Sequence, residues 1–209
     1  MARCLVFTGL WLVFSTALAQ QTPGTDVVSA VQSCAACHGP EGQGVDPYPR
    51  LAGLGQAYLK RQLDSFADGD RINAIMKPIA SDLSAEQRQQ IARHFSELPV
   101  QPDDSAGVDD TENHPGRILA LHGRWQEDLP ACVQCHGPGG RGIGESFPSL
   151  AGQPASYLED QLKAWRSGQR KAGPMGLMGH IAERLDEEDL KAVAEYFASL
   201  SAVKEAGDE

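Results

Sequence analysis

The sequence is short of positive charge, methionine and aromatic rings, and past residue 19 it has no long apolar run. Lys and Arg number 18 against 28 Asp and Glu, for a formal net charge of −10. So acidic a chain repels phosphate backbones and anionic headgroups, which argues against nucleic acid or an anionic membrane surface as its partner. No segment after residue 19 reaches the ~20 apolar residues of a spanning helix. Strand-like alternation and any βαβ pattern are absent, so an all-α fold is expected. The acidity is uneven. Asp103, Asp104, Asp109, Asp110 and Glu112 cluster mid-chain, and Glu205, Asp208 and Glu209 close it. Both clusters read as solvated linker and tail.

The start of the chain has a different character. Arg3 precedes an apolar stretch from Cys4 to Leu18, and Ala17-Leu18-Ala19 matches a small-x-small cleavage pattern before polar Gln20-Gln21. Residues 1–19 are therefore expected to be a secretory signal peptide, with the mature protein in the periplasm.

Of five cysteines, Cys4 falls in that leader. An exported protein meets oxidising conditions, so the other four would by default pair as disulfides. Their context says otherwise. Cys34-Ala35-Ala36-Cys37-His38 and Cys132-Val133-Gln134-Cys135-His136 are two complete C-x-x-C-H motifs, the attachment signature of c-type haem. Two thiols at this spacing reach the two vinyl groups on one porphyrin edge, and the adjacent histidine reaches the iron. A single Cys4 zinc site would leave both histidines unexplained, and a thioredoxin-like pair would need a βαβ setting. Two covalently bound haem c groups are the expectation.

The motifs stand 98 residues apart, and the similarity continues beyond them. Pro49-Arg50-Leu51-Ala52-Gly53 answers Pro148-Ser149-Leu150-Ala151-Gly152. Tyr58-Leu59, Gln62-Leu63 and Phe66 answer Tyr157-Leu158, Gln161-Leu162 and Trp165. Ile79-Ala80 with Leu83 answers Ile181-Ala182 with Leu185, and Phe95 with Leu98 answers Phe197 with Leu200. The expected organisation is a first haem domain over 20–98, an acidic linker over 99–112 and a second domain over 113–203.

Helical signals fill both domains. Val27, Val28, Ala30, Val31 and Cys34 form an apolar stripe into the first motif. Tyr58 to Phe66 keeps helical spacing and is closed by Gly69. Ser84 with Gln87 reads as a capping box before a last helix that Pro99 ends. A short helix over about Arg117–Gly123, a helix over Pro154–Ser167, and a last helix capped by Asp186 are expected in the second domain.

An electron-transfer haem needs a sixth ligand, and methionine is the usual partner of histidine. Met76 is the only methionine of the mature first domain; the second offers Met175 and Met178. Met76 stands three residues before Ile79, and Met178 three before Ile181, so repeat register selects Met178, with Met175 as runner-up. Both are expected in loops. His38 with Met76, and His136 with Met178, are the candidate iron ligands. His180 matches Pro78 and is a competitor in minor states only. Pro49 and Pro148 are the candidate carbonyl acceptors for the second N–H of each histidine. Leu51, Leu150, Phe66, Trp165, Phe95 and Phe197 are expected to wall the haems and pack the helices. His94, His114 and His122 have no repeat counterpart and read as packing or surface histidines.

Tandem C-x-x-C-H-G units, each with Pro-x-Leu-Ala-Gly, a Tyr-Leu-x-x-Gln-Leu helix and a methionine before Ile-Ala-x-x-Leu, resemble the dihaem cytochrome c4 family. The resemblance covers about residues 26–201. It implies two cytochrome c domains related by a pseudo-twofold axis, with haem edges facing across the interface. Family members are periplasmic electron carriers, some held loosely at the inner membrane. Their partners are dehydrogenases, cytochrome oxidases or other cytochromes, and related dihaem proteins accept electrons from thiosulfate dehydrogenases. A one-electron shuttle between redox proteins is thus expected, with no catalytic residues of its own. A tightly bound cytochrome subunit of such a dehydrogenase is the alternative. A dihaem peroxidase fits less well, because no distal His/Arg pair lies in register with either haem. A gas sensor would need an output domain that the sequence lacks.

Overall fold

The computed structural model describes residues 23–101, 112–171 and 173–202. The expected signal peptide and most of the expected linker lie outside the described residues. Among those described, the chain is helical, with β-structure limited to isolated bridges. No described helix is long and apolar enough to cross a membrane.

The first unit runs α1 (Pro23–His38), α2 (Gln56–Asp68), α3 (Met76–Ser81) and α4 (Ala85–Glu97). The second runs α5 (Pro115–His122), α6 (Val133–His136), α7 (Ala155–Arg166), α8 (Leu177–Ala182) and α9 (Glu187–Ser199). The expected caps form. Gly69 ends α2 in the left-handed conformation at φ 83°. Ser84 and Gln87 make a full capping box on α4, and Asp186 with Asp189 makes one on α9.

Each unit builds its core on its last helix. Ile91, Ala92 and Phe95 of α4 meet Leu54 and Leu59 in the first. Leu190, Val193, Ala194 and Phe197 of α9 meet Leu119, Leu158 and Leu162 in the second. The loop after each haem motif packs onto this helix through glycine. A Cβ on Gly42 would stand 2.8 Å from the Phe95 ring, and one on Gly140 would stand 2.5 Å from the Phe197 ring. Gly116 plays the same part where α5 crosses α9: a Cβ there would be 2.0 Å from the Ala192 carbonyl oxygen.

Two features differ from the sequence expectations. Val28 is 59% exposed, so the inner stripe of α1 runs through Val27, Ala30, Val31 and Cys34 without it. As expected, a separate short helix precedes the second motif, whereas the first motif closes a single continuous helix. In the second unit Gly123 ends α5, and the segment up to Pro130 folds as a small loop tied by the Arg124–Leu129 bridge. Met76 and Met178 lie in the first turn of short helices, not in loops. These helices have six residues each, too few to show a 3.6 period, and Pro78 is tolerated because the first turn needs no N–H from it.

The units meet along a pseudo-twofold axis. Helix α2 has no side-chain cap of its own; instead the Glu145 carboxylate accepts from Ala57 N–H at 3.1 Å, and the Glu145 carbonyl accepts from Tyr58 N–H at 3.0 Å. A Cβ on Gly55 would lie 2.8 Å from Glu145, so this approach needs glycine. At the start of α7, Ser156 donates in turn to Asp46. Each unit's post-motif loop thus supports the other unit's helix. Beside them, Gln153 donates to the Arg50 carbonyl and accepts from its N–H, both at 3.0 Å. The Arg50 guanidinium reaches Ser149 Oγ at 3.0 Å and the Ala151 carbonyl at 3.1 Å. Farther along the axis, Arg71 and Arg170 face each other in an antiparallel bridge, with Ile72 N–H on Gln169 O and Lys171 N–H on Asp70 O, both at 2.8 Å.

Candidate haem centres

The two C-x-x-C-H motifs occupy equivalent places. His38 ends α1 and His136 ends α6, each about nine-tenths buried. Their rings are held alike: His38 Nδ1 lies 2.8 Å from the Pro49 carbonyl oxygen, and His136 Nδ1 lies 2.8 Å from that of Pro148. A nitrogen that donates there leaves Nε2 as the unprotonated, lone-pair-bearing atom. Burial pushes both histidines below their ordinary pKa, against the opposing pull of the proline carbonyls. The Arg71 charge lowers His38 further. Burial favours the neutral ring in both, the form that binds metal, and at His38 the Arg71 charge adds to it.

All four thiols are unpaired. Burial pushes Cys34 up, and pushes Cys132 up to about 11. Among the described residues no group of three or more His, Cys, Asp or Glu side chains comes together as a metal-binding set. Unpaired thiols, a neutral histidine turned by a carbonyl, and apolar walls of Leu51, Leu54 and Leu63 or Leu150, Leu158 and Leu162 suit a covalently attached haem. Such a group supplies a reversible Fe(II)/Fe(III) couple. The protein's part is to hold it, orient its histidine and keep its surroundings apolar, which disfavours the extra charge of Fe(III).

The methionines fall into distinct settings. Met178 is half-buried and packs in the cluster that holds Cys132, Leu150, Trp165 and Ile181. Met175 is 84% exposed, in a positive-φ conformation on the preceding turn. Met76 is half-buried at the start of α3, which packs on α2. Its backbone is fixed by Asn73, whose Oδ1 accepts from Ile75 N–H at 3.0 Å and from Met76 N–H at 2.8 Å. Sequence reasoning passed over Asn73, although an Asn three residues ahead of a helix is a capping signal. His180 is exposed, while His94 stacks edge-on against Phe95 and His114 lies against Tyr196.

A polar cluster lies between the centres, and sequence reasoning took its members for helix packing or missed them. Arg71 donates to Gln62 Oε1 at 3.1 Å, Tyr157 Oη at 3.0 Å and Gln161 Oε1 at 2.6 Å. Arg170 mirrors it, donating to Gln161 Oε1 at 3.1 Å, Tyr58 Oη at 3.3 Å and Gln62 Oε1 at 2.7 Å. Phe66 and Trp165, expected as haem walls, lie under these guanidiniums, at 4.4 and 4.0 Å from ring centroid to Cζ. The available signal was the recurrence of polar Tyr, Gln and Arg at matching register in both halves.

Comparison with known proteins agrees with this geometry. The sequence model of the family described as "Cytochrome c" matches twice, over residues 23–99 and 129–201. The chain is 46% identical over 180 residues to the "Thiosulfate dehydrogenase electron acceptor" of Stutzerimonas stutzeri (strain A1501), covering 85% of this chain and 83% of that protein. It is 36% identical to the cytochrome c4 of Pseudomonas aeruginosa, over 80% of this chain and 83% of that one. The crystal structure of reduced cytochrome c4 from Pseudomonas stutzeri superposes with a TM-score of 0.72 at 30% identity, over 84% of this chain and 97% of that one. The thiosulfate dehydrogenase (TsdBA) of Marichromatium purpuratum gives 0.73 at 44% identity; 79% of this chain is covered, but only 36% of that longer chain.

Two helical units with paired C-x-x-C-H motifs and a doubled family match define a tandem c-type cytochrome. Within that class, the chain belongs to the dihaem cytochrome c4 family. It binds two covalent haem c groups, and it is an electron carrier between redox proteins, not an enzyme.

Proposed function

We propose that this carrier is the periplasmic electron acceptor of a thiosulfate dehydrogenase. The supporting observation is identity. The chain is 46% and 45% identical to two proteins named as thiosulfate dehydrogenase electron acceptors, against 36% or less to four cytochromes c4. Residues 1–19 serve as the export signal, 20–98 and 113–203 as the haem domains, and 99–112 as the tether. Cys34 and Cys37, with Cys132 and Cys135, anchor the haems. His38 with Met76, and His136 with Met178, ligate the irons, while Pro49 and Pro148 orient the histidines. Each haem takes one electron at a time, and no open iron position is needed.

The encounter with the dehydrogenase is brief and charge-steered, as such electron-transfer contacts are small and must dissociate. The test is stopped-flow reduction of the oxidised protein by a purified thiosulfate dehydrogenase with thiosulfate. Fast reduction of both haems, slowed by salt, supports the reading. Reduction no faster than by thiosulfate alone rejects it. The Marichromatium protein, in which the matching region is part of a longer chain, favours a second reading: a permanently bound subunit. Co-elution of a stable one-to-one complex at high salt would select it.

A further inference from the structure

The second unit carries a segment that the first lacks. In the first, α1 runs unbroken into Cys34 and His38. In the second, residues 123–130 stand between α5 and the motif and form a braced loop. Arg124 N–H donates to the Leu129 carbonyl at 2.7 Å, and Leu129 N–H donates back to the Arg124 carbonyl at 3.2 Å. The Arg124 guanidinium clamps Asp189 at 2.9 and 2.6 Å, Glu127 at 2.9 Å and the Arg184 carbonyl at 3.2 Å. A Cβ on Gly123 would stand 2.3 Å from the Leu129 carbonyl oxygen, so the closure needs glycine. Asp128 takes a left-handed φ of 54° to complete it. Behind the loop, Leu129 is buried in the cluster against which Cys132 and Met178 pack.

What this bracing holds outward is Trp125. Its side chain is 57% exposed, and Gln126, Glu127 and Asp128 beside it are exposed too. Among the described residues no ring or guanidinium stacks on its indole, whereas Trp165 lies under Arg170 at 4.0 Å. A large aromatic on a rigid support loses little further freedom on binding, which is what suits it to anchor a partner. The charge around it has one sign. Arg124, the loop's only cation, is turned inward onto Asp189, and the Arg184 guanidinium is turned back onto the His180 carbonyl at 2.9 Å. Glu127 and Asp128 are left at the outer rim.

We propose that the Trp125 loop is the docking anchor for the thiosulfate dehydrogenase, whose matching face presents an apolar recess rimmed by Lys or Arg. This rests on the function proposed above and adds the place of contact. The indole seats in the recess, with a cation over its face, and Glu127 and Asp128 meet the basic rim. The loop is tied to the cluster of Cys132 and Met178, so a partner held there approaches the second centre. The first unit has no equivalent, and docking is one-sided. A second copy of this chain is a poorer occupant, because its own acidic rim would meet like charge.

The test is steady-state reduction of the dihaem holoprotein by a purified thiosulfate dehydrogenase with thiosulfate, which gives KM and kcat for the carrier. Trp125→Ala is expected to raise KM about 30-fold with kcat little changed, the effect of truncating an interface anchor. Trp125→Phe should recover most of the loss. Asp128→Asn, which tolerates the left-handed conformation, should raise KM about threefold and weaken its salt dependence. Val28→Ala, which removes an exposed apolar side chain from the first unit, should leave KM unchanged. Urea midpoints and reduction by ascorbate should stay at wild-type values in Trp125→Ala, because the indole packs in neither core. A folded Trp125→Ala with wild-type KM would overturn the anchor and leave the dehydrogenase reading standing. Wild-type protein that the dehydrogenase does not reduce would overturn both. Sedimentation velocity is expected to show a monomer, and a dimer that Trp125→Ala dissolves would overturn the proposal in favour of a second copy.

Discussion

Gln153 offers a direct measure of what holds the two units together. Its side chain is 3% exposed and closes a two-bond ring with the Arg50 backbone, accepting from N–H and donating to C=O, both at 3.0 Å. Gln153→Ala removes both bonds and strands two buried backbone groups. A net hydrogen bond contributes about 1 kcal/mol, and an unsatisfied buried group costs about 1–3 kcal/mol. With water partly filling the gap, the expected loss is about 2–4 kcal/mol. Gln153→Glu keeps the acceptor but turns a carboxylate oxygen towards the Arg50 carbonyl, so it should lose at least half as much. The assay is urea unfolding followed by haem absorbance, together with limited proteolysis between the units. The midpoint should fall with the denaturant slope unchanged, and cleavage should accelerate. A Gln153→Ala unfolding free energy within ~0.5 kcal/mol of wild type would refute the reasoning, since surface substitutions do no more than that.

Met178→Ala is expected to let carbon monoxide bind one reduced haem at about one equivalent, whereas Met175→Ala, at an 84% exposed side chain, should leave the spectrum unchanged. Ser84→Ala removes the acceptor of the Gln87 N–H and should cost about 1 kcal/mol in thermal unfolding, with both haem spectra retained. Arg124 grips Asp189 through two bonds, of 2.9 and 2.6 Å, and holds its carboxyl below the ordinary carboxylate range. A depressed folded pKa contributes stability that is complete above the unfolded value, near ~3.9, and is lost as pH falls through the folded one. Asp189→Asn should therefore flatten the acid limb of a stability–pH curve below about pH 4 and leave its shape at neutral pH alone.

What the sequence made legible was local or repeated. The C-x-x-C-H motifs, the Ser84–Gln87 box and the Gly69 stop are short-range signals whose chemistry is complete within a few residues. Repeat register paired Pro49 with Pro148 and set Met178 ahead of Met175, the methionine that the fold leaves in solvent. What stayed hidden was relational. Arg50 stands where the other unit has Ser149, and Gln153 where it has Leu54, so the repeat gave no reason to join them across 103 positions. Glu145 caps a helix 88 residues away, and nothing near Ala57 announces that. Tyr58, Gln62 and Phe66 satisfy a helical period equally well as core or as polar cluster. Their role appears only when Arg71 and Arg170 meet. Helices α3 and α8 are too short to carry a period, and Pro78 and Gly179 disguised them as loops.

The central claim is that both irons are closed by protein ligands, so that the molecule passes electrons and transforms no substrate. Carbon monoxide added to the dithionite-reduced holoprotein at neutral pH tests it most directly. The account predicts two haems per chain and no change in the visible spectrum on adding the gas. Rapid, stoichiometric binding at either haem would contradict it, because an iron that takes carbon monoxide at once has no methionine holding its sixth position.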